Sequence, residues 1–337
     1  MIDDRILLAH GAGGKKSAEL TERVFLRHFH DPALVRLDDM AVLELPPGRL
    51  SISTDTFTVD PIFFPGGDIG SLAVHGTVND VAMSGALPFA LSAGFILEEG
   101  LAISDLDKIA GSMAAAARQA DIRIVTADTK VVSRGAADRI FINTTGIGVV
   151  REGLAISGDM ARKGDIILLS GTIGDHGIAV ISSREGFEFQ TPVKSDSAPL
   201  NGLIGELVSV LGGEIHVLRD PTRGGLATVL SEICSQSSVG IEIQEAGIPV
   251  REAVKGACEL LGYDPLYLAN EGKLVVVVAE NAHEEALGII RKHEYGRDGS
   301  IIGKVTNEHQ GKVVLKTAMG GKRLVERLSG EMLPRIC

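Results

Sequence analysis

Acidic residues end or interrupt apolar segments at several places in the first part of the chain, and this pattern constrains the fold most strongly. The sites are Asp38, Asp55 after the run 50–52, Asp80 inside a helical stretch, and Asp128 directly after the strand-like run 122–125. Carboxylates at the ends of β segments are well placed to meet in a cleft, and such oxygen ligands suit Mg²⁺ bridging to substrate phosphates. Each one alone could instead be a turn former or a helix cap. Together they are candidate metal ligands.

A glycine-rich segment near the start of the chain could hold a phosphate. Gly11, Gly13 and Gly14 lie between an apolar segment and a helix that we predict to begin near Ser17. Glycines before a helix N-terminus let backbone N–H groups approach an anion. The motif is neither a Walker A nor a GxGxxG sequence, so a flexible turn is the alternative.

Two further glycine-containing segments stand at predicted helix starts. The segment 171–177 follows a buried strand, and we interpret its His176 as a cap or packing residue rather than a catalyst. The segment 220–225 carries Arg223, whose forked side chain is suited to donating hydrogen bonds to a phosphate. Both segments are therefore candidate anion sites.

Lys130 and Glu271 are the candidates for proton transfer. Lys130 stands two positions after Asp128, on the same side of a continuing strand. It could neutralise phosphate charge or, if desolvated, transfer a proton. Glu271 stands beside a glycine at a strand junction, where it could be a general base, a metal ligand or a turn residue.

The segment Met332–Cys337 closes the sequence on a cysteine thiol. Pro334 blocks helix propagation, and chain termini are usually mobile unless they are docked. The functional interpretation is a swinging carrier whose sulfur takes a group at one site and delivers it to another. The alternative is a frayed end that happens to finish in Cys. We interpret Cys234 and Cys258, both in predicted helices, as buried packing residues.

Hydrophobic periodicity predicts helices over 72–83, 104–120, 200–211, 226–234 and 251–261, and strands over 139–150 and 273–279. A boundary near 153–164 divides the chain into an N-terminal domain, 1–152, and a C-terminal α+β domain, 153–318. The remaining residues, 319–337, are expected to form a mobile tail.

Composition excludes several classes of function. The net charge of −11, with Lys and Arg dispersed, argues against a nucleic-acid groove. No apolar run approaches the length of a membrane-spanning helix, and the first residues lack a signal-peptide pattern. The 3 cysteines form no CxxC pair. We therefore expect a soluble protein of the reducing cytoplasm.

The motifs occur in an order that resembles a known family. The chain carries, in turn, His10-Gly11-Ala12-Gly13-Gly14, Ser53-Thr54-Asp55, Asn79-Asp80-Val81-Ala82-Met83, Ala127-Asp128-Thr129-Lys130, Gly174-Asp175-His176-Gly177, Asp220-Pro221-Thr222-Arg223-Gly224-Gly225, Asn270-Glu271-Gly272 and Pro334-Arg335-Ile336-Cys337. Over essentially its whole length it resembles the HypE family of hydrogenase maturation proteins. That family belongs to the superfamily of aminoimidazole ribonucleotide synthetase, selenophosphate synthetase and thiamine monophosphate kinase. The acidic motifs are typical of the superfamily, and the terminal Pro-Arg-Ile-Cys is typical of the family.

The resemblance implies an α+β fold of two mixed α/β domains of the aminoimidazole ribonucleotide synthetase type. The N-terminal domains would pair into a homodimer through a shared β-barrel, with a flexible C-terminal tail. It also implies ATP in the cleft, with Mg²⁺ held by Asp55, Asp80 and Asp128 and with Asp38 as a further ligand. The nucleotide-binding candidates are then Gly11, Gly13, Gly14, Thr54, Asn79, Thr129 and Arg223.

The family's reaction is the ATP-dependent dehydration of a carbamoyl group on the terminal cysteine, here Cys337. The resemblance implies that a HypF-type carbamoyltransferase loads Cys337 and that the product is a protein thiocyanate. Its cyanide would pass, through a HypC–HypD-type scaffold complex, to the iron of the [NiFe]-hydrogenase active site. Lys130 and Glu271 both stay candidates for removing protons from the carbamoyl nitrogen.

Two other readings remain. A selenophosphate synthetase or a thiamine phosphate kinase would use a similar ATP cleft, but the former typically carries a Cys or selenocysteine in its N-terminal glycine-rich segment. The segment 10–15 has none. A non-catalytic carrier or scaffold would not need Asp55, Asp80, Asp128 and Lys130 together, so ATP turnover that depends on carbamoylated Cys337 distinguishes these readings.

Overall fold

The computed structural model describes residues 4–186, 193–328, 330 and 333–337. These residues form two α/β domains, one built on a four-stranded sheet and the other on a seven-stranded sheet. Among the described residues, no helix has the length and apolar character needed to cross a membrane.

The N-terminal domain contains short helices, two long helices and the four-stranded sheet. Its elements are α1 Lys15–Leu20, α2 Leu26–His28, α3 Pro32–Val35, β1 Arg49–Phe57, β2 Phe63–Phe64, β3 Gly67–Asp68, α4 Ile69–Ala82, β4 Ala86–Glu98, α5 Ile103–Gln119, β5 Arg123–Val132 and β6 Ile140–Val150. The strand order is β1-β6-β4-β5, with β4 and β5 parallel and the other pairs antiparallel.

Helix α4 packs against one face of this sheet and against α5. It is buried along almost its whole length, which its nearly uncharged sequence allows, and Asp80 is its single carboxylate. Asp68 fixes the start of the helix because its side chain accepts hydrogen bonds from the backbone N–H groups of Gly70 and Ser71. This packing holds Asp80 near Asp55, the carboxylate of β1.

The opposite face of the four-stranded sheet carries exposed apolar side chains. Leu50, Ile52, Leu87 and Ile96 are 51%, 64%, 59% and 42% exposed. Side chains alternate between the two faces of a strand, so the less exposed residues of β1 face α4 and the exposed ones face outward. Within the described part of the chain, the strands form an open sheet and not a closed barrel.

The C-terminal domain surrounds the seven-stranded sheet. Its elements are β7 Ile166–Leu169, α6 Asp175–Glu185, α7 Asn201–Leu211, β8 Ile215–Arg219, α8 Gly225–Ser237, β9 Gly240–Gln244, α9 Glu252–Leu261, β10 Val275–Val278, α10 His283–Lys292, β11 Ser300–Thr306, β12 Val313–Lys316 and β13 Lys322–Val325. The strand order is β13-β12-β9-β11-β7-β10-β8. One face packs on α8, and the other packs on α7 and α10.

The two domains share a hydrophobic contact. Val81 and Ala82 of α4, together with Val150 of β6, belong to the same buried cluster as Leu203 and Leu207 of α7. This shared cluster fixes α4, and with it Asp80, against the C-terminal domain.

The structure confirms the predicted helices as α4, α5, α7, α8 and α9 and the two predicted strands as β6 and β10, with small shifts at their ends. It places the first part of the predicted tail in the sheet, because β13 pairs with β12. Met332, which opens the segment singled out in the sequence, lies outside the described residues, whereas Leu333–Cys337 are described.

Candidate active site

The last residues of the chain lie in a groove between the two domains of their own chain. Thr58 donates hydrogen bonds from its backbone N–H and its hydroxyl to the Cys337 carbonyl oxygen, at 3.0 and 3.3 Å. The Ile336 side chain is buried in the same cluster as the N-terminal core. Arg335 donates to the Thr58 carbonyl and pairs with Asp138. These contacts hold Cys337 in the groove, where it is half-buried.

Helix α6 binds the backbone of this docked segment. His176 Nε2 lies 2.8 Å from the Ile336 carbonyl, and its Nδ1 lies 2.8 Å from the Ser195 hydroxyl. Arg184 donates from Nη1 to the Pro334 carbonyl and from Nη2 to the Arg335 carbonyl, both at 2.8 Å. Burial lowers the pKa of His176, so the neutral ring donates through Nε2 to the peptide and accepts through Nδ1 from the serine.

Burial and several carboxyl groups of the cleft raise the pKa of the Cys337 thiol. Burial raises the thiol pKa above its ordinary value, and negative charge at Glu271, Asp55 and Asp80 raises it further, whereas Arg223 opposes them. Glu271 is itself buried, and its Oε1 makes no hydrogen bond within the described structure. Burial, followed by the charge of Asp220, raises its pKa well above the ordinary value. A buried carboxyl without a partner, close enough to influence a thiol, is suited to proton transfer.

Asp55, Asp80 and Asp220 form the acidic part of this cleft. Burial raises the pKa of Asp55, and repulsion from Asp80 adds to the shift. Burial also raises the pKa of Asp80, although a hydrogen bond from the Ser53 hydroxyl at 2.7 Å opposes it. The pKa of Asp220 rises to about 7 because of burial and of repulsion from Asp80. Such mutually repelling, desolvated carboxylates fit a bound cation.

A second group of predicted residues lines a separate cavity of about 310 Å³. Its lining includes His10, Gly11, Gly13, Ser17, Leu20, Phe25, Leu34, Leu37, Asp38, Met40, Asp128, Thr129 and Lys130. Lys130 donates to both carboxylate oxygens of Asp128, at 2.7 and 3.0 Å, and this bond lowers the Asp128 pKa. Gly11 allows the close approach, since a Cβ there would lie 2.8 Å from the Val131 nitrogen. Polar and apolar walls together suit a nucleotide.

The two groups stand on opposite sides of the four-stranded sheet. Asp128 pairs across the sheet with Gly94, then Asn143, then Thr56. Three strand spacings of about 4.8 Å put its backbone roughly 14 Å from Thr56. Asp55 faces α4 from the other side of β1, with its Oδ2 3.8 Å from the position of a Cβ on Gly76.

Within the described residues, no three His, Cys, Asp or Glu side chains gather as a metal cluster.

The remaining predicted nucleotide contacts fall in other places. Asn79 is buried between the domains, where its amide donates to the Ala198 carbonyl at 3.0 Å and accepts from the Leu200 N–H at 2.7 Å. These bonds give Asn79 a structural role at the domain contact instead of exposing it to a ligand. Thr54 faces outward on β1, with its hydroxyl 2.9 Å from that of Thr145. Gly14 precedes α1 as its N-cap.

Several residues of the cleft were not predicted from the sequence as site residues. Asp220 directly follows the apolar strand β8, so it carries the signal of an acidic residue at a strand end. Asp128, which the sequence places after a strand, instead lies inside β5. His176 was interpreted as a packing residue, and the structure shows it buried and bonded to the docked segment. Thr58 and Arg184 carry no local signal, because their partners are far away in the sequence.

Family models describe both halves of the chain. Residues 37–150 match the N-terminal domain of AIR synthase related proteins, and residues 162–316 match the C-terminal domain of the same proteins. The fold and the cleft between two such domains therefore define the class, that of two-domain AIR synthase related proteins.

Relatives within this class narrow the assignment. The chain is 53% identical over 330 residues to the carbamoyl dehydratase HypE of Azotobacter vinelandii, covering 98% of this chain and 96% of that protein. It is 54% identical, with a TM-score of 0.95, to a solved structure of hydrogenase maturation protein HypE in complex with ATP, covering 98% and 99% of the two chains. A solved HypE–HypF complex matches with a TM-score of 0.81 and 54% identity, over 92% and 99% of the two chains. The chain belongs to the HypE family.

Proposed function

We propose that this protein dehydrates a carbamoyl group carried on Cys337 to a thiocyanate, at the expense of ATP, and so supplies cyanide for hydrogenase maturation. The observation that carries the proposal is the position of the Cys337 thiol, which is docked between the domains within the influence of Glu271, Asp55 and Asp80. Relatives more than 50% identical along almost the whole chain are named carbamoyl dehydratase HypE, which supports dehydration of a carbamoyl group.

The reaction has two chemical requirements. A carbamoyl oxygen is a poor leaving group, so it attacks the γ-phosphorus of ATP and later departs as phosphate. The carbamoyl nitrogen loses its two protons as the C≡N bond forms, so that thiocarbamate and ATP give thiocyanate, ADP and phosphate. Glu271 is the proposed base for this deprotonation, because its raised pKa makes it a stronger base than an ordinary carboxylate. Docking of the segment between the domains would limit the access of water to the intermediate.

ATP is the proposed occupant of the 310 Å³ cavity beside the glycine segment. Because this cavity and the Cys337 groove of one chain stand on opposite sides of the sheet, its γ-phosphate would meet the Cys337 group of the second copy in the homodimer. Gly11, Gly13 and Thr129 line this cavity and would contact the nucleotide there, with Gly14 beside them in the sequence. Thr54, on strand β1 at the other edge of the sheet, stays a candidate nucleotide contact outside this cavity. Arg223 stands on the Cys337 side, where its guanidinium lines the groove and would bind the phosphoryl oxygens. The similar HypE structure in complex with ATP supports ATP as the ligand of this protein.

The carboxylate oxygens of the candidate aspartates are the kind of ligand that suits Mg²⁺. Asp55 and Asp80 would hold it in the cleft, and Asp38 and Asp128 are further candidate ligands at the nucleotide cavity. When bound, it would neutralise charge on the transferred phosphoryl group. Lys130 is paired with Asp128 at the nucleotide cavity. There it would contribute positive charge toward the phosphates. Within one subunit this leaves Glu271 as the proposed base.

The outward face of the four-stranded sheet supports a homodimer. We propose that this face, with Leu50, Ile52, Leu87 and Ile96, pairs with its counterpart in a second copy to complete a β-barrel. The proposed organisation is an N-terminal domain over 1–152, a C-terminal domain over 153–318, and 319–337 as the segment that leads to Cys337.

Loading of Cys337 requires a second position of the docked segment. Cys337 is half-buried and docked in the groove. The segment would therefore withdraw before a HypF-type carbamoyltransferase can reach the sulfur, and it is in this sense a flexible tail. The solved HypE–HypF complex of a similar chain supports that partner. A HypC–HypD-type scaffold is the proposed acceptor of the cyanide.

Mass spectrometry of the terminal peptide tests the proposed function. After incubation with the carbamoyltransferase, carbamoyl phosphate and Mg·ATP, Cys337 of the wild-type protein should gain a carbamoyl group and then lose one water. E271Q should keep the carbamoyl group, and C337A should never acquire it. Stable carbamoylation of the wild-type protein without loss of water would contradict the proposal and favour a simple carrier.

A further inference from the structure

The Asp196 side chain holds the backbone of Glu271. Its Oδ1 accepts a hydrogen bond from the Glu271 N–H at 3.1 Å, and its Oδ2 lies 3.1 Å from the Lys273 ammonium. The Asp196 side chain is 3% exposed. Burial favours its neutral form, but the positive charge of Lys273 prevails and keeps the Asp196 pKa below its ordinary value. Asp196 is therefore a buried anion: its Oδ1 accepts from the Glu271 N–H, whereas its Oδ2 makes no hydrogen bond within the described structure and forms an ion pair with Lys273, on the other side of Gly272.

The carbonyl of Glu271 is held as well. The Asn79 amide donates to it at 3.4 Å, and the Ala198 N–H donates to it at 3.4 Å. Both polar groups of the Glu271 peptide therefore have fixed partners, one of them from the N-terminal domain. Only the carboxyl of this residue is left without a hydrogen bond at Oε1.

The segment that carries Asp196 is itself anchored on both domains. The Ser195 N–H donates to the Pro65 carbonyl at 2.8 Å. The Ser195 hydroxyl lies 2.8 Å from His176 Nδ1, and the Ser197 hydroxyl lies 3.0 Å from His75 Nδ1. Such anchoring leaves Asp196 little freedom, so any residue bonded to it is held in one position.

Gly272 permits the close approach between the two segments. A Cβ at this position would lie 1.9 Å from the Asp196 carbonyl oxygen and 3.0 Å from the Ala198 nitrogen. A side chain there would push the segment 270–273 away from Asp196. The glycine thus serves the contact between Asp196 and Glu271 and not a left-handed turn.

We propose that Asp196 is a positioning residue for the reaction: its hydrogen bond to the Glu271 N–H aims the Glu271 carboxyl at the group carried by Cys337. The inference rests on the proposed function, because it takes Glu271 as the base. The ion pair with Lys273 keeps Asp196 charged and oriented. The carboxylate of Asp196 also adds, after burial and Asp220, to the high pKa of Glu271.

The test compares D196A with D196N in single-turnover dehydration of the carbamoylated full-length protein. Here kcat denotes the single-turnover rate constant at saturating ATP, and KM denotes the ATP concentration that gives half of that rate. Misplacing a catalytic group by about 1 Å costs up to 10²-fold in rate. D196A should lower kcat by about tenfold or more while the KM for ATP stays within about twofold, because the nucleotide cavity lies elsewhere. D196N keeps an oxygen acceptor for the Glu271 N–H and should regain most of the lost rate. D298N, at an exposed aspartate lining the same 460 Å³ cavity as Lys273, is the matched control and should leave kcat unchanged.

G272A provides a second perturbation if D196A does not fold. It disturbs the same contact without removing a buried charge, and it should show the same fall in kcat with an unchanged KM. The inference is overturned if the folded variants keep the wild-type kcat, if D196N is as slow as D196A, or if KM rises in parallel with the loss of rate. Absence of dehydration in the wild-type protein would instead refute the proposed function.

Discussion

Arg184 of helix α6 donates one hydrogen bond to the carbonyl of Pro334, and its other terminal nitrogen donates to the next carbonyl along the chain, both at 2.8 Å. Its Nε also donates to the Asp60 carbonyl at 2.8 Å. One guanidinium therefore ties the docked segment to both domains. Because Arg184 binds backbone carbonyl oxygens of the segment, these hydrogen bonds do not depend on the side chains that the segment carries.

Replacing Arg184 should change loading and dehydration in opposite directions. R184M removes several charge-assisted hydrogen bonds, each contributing about 1.5–3 kcal/mol, so the segment should leave the groove more often. Carbamoylation of Cys337 by the transferase should then become faster, whereas dehydration should slow by about tenfold or more. Both rates can be followed by mass spectrometry of the terminal peptide. A parallel fall in both rates would indicate damage to the fold instead.

The docked Cys337 thiol should react slowly with alkylating agents. Burial, together with negative charge at Glu271, raises its pKa, so the thiol stays protonated near neutral pH. Iodoacetamide at pH 8 should modify Cys337 at least about tenfold more slowly than a free thiol, and R184M should accelerate the reaction. Cys234 and Cys258 are internal references for slowly alkylated, buried thiols, because burial raises their pKa values to about 12 and about 11. Rapid alkylation of wild-type Cys337 would contradict stable docking.

The raised pKa of Asp220 predicts a loss of stability as the pH rises. Its folded-state pKa of about 7 exceeds the ordinary 3.8, so between these values the folded protein keeps a proton that the unfolded chain releases. The free energy of unfolding therefore falls as the pH rises through this range. D220N cannot ionise, and its Tm should exceed that of the wild type by a few degrees at pH 8 but not at pH 4.

D298N, at an exposed aspartate that lines the cavity of Lys273 and not the Cys337 groove, is the control for D220N and should shift the Tm equally little at both values of pH. Added Mg²⁺ should raise the wild-type Tm more at pH 8 than at pH 5, since a cation offsets the same repulsion. Equal Tm values for D220N and the wild type at pH 8 would contradict the electrostatic account of the cleft.

The exposed face of the four-stranded sheet predicts the oligomeric state. I52D places a charge at the middle of this face, where Ile52 is 64% exposed in one chain, and it should convert a dimer into monomers in light scattering. V210D, at a residue of α7 that is 54% exposed, is the matched control and should stay dimeric. A wild-type protein that is already monomeric at micromolar concentration would overturn this assignment.

Local patterns predicted the elements well because helices and strands bury one face at a fixed period. Helix α5 and strand β6 follow from such periodicity and glycine positions. The distribution of the acidic residues between the two faces of the sheet could not be predicted in the same way. Asp55 and Asp128 each belong to a strand of the same sheet, but they point to opposite faces, and the face depends on register across β6 and β4.

Contacts between the domains were equally hidden from the sequence. Asn79 stands beside Asp80 in a motif that suggests ligand binding, yet its side chain meets the backbone of the C-terminal domain. Successive residues of a helix point about 100° apart, so neighbouring motif residues serve different partners. Glu271 was a candidate in sequence, but its separation from Lys130 appears only when both domains are folded.

Oxygen transfer gives the most direct test of the central claim. The Cys337 carbamoyl group is prepared with ¹⁸O in its carbonyl, and a single turnover is run with Mg·ATP. The account predicts that the label appears in inorganic phosphate, one labelled oxygen for each thiocyanate formed, because the carbamoyl oxygen leaves with the transferred phosphoryl group. Thiocyanate formed with the label released only as water would contradict it.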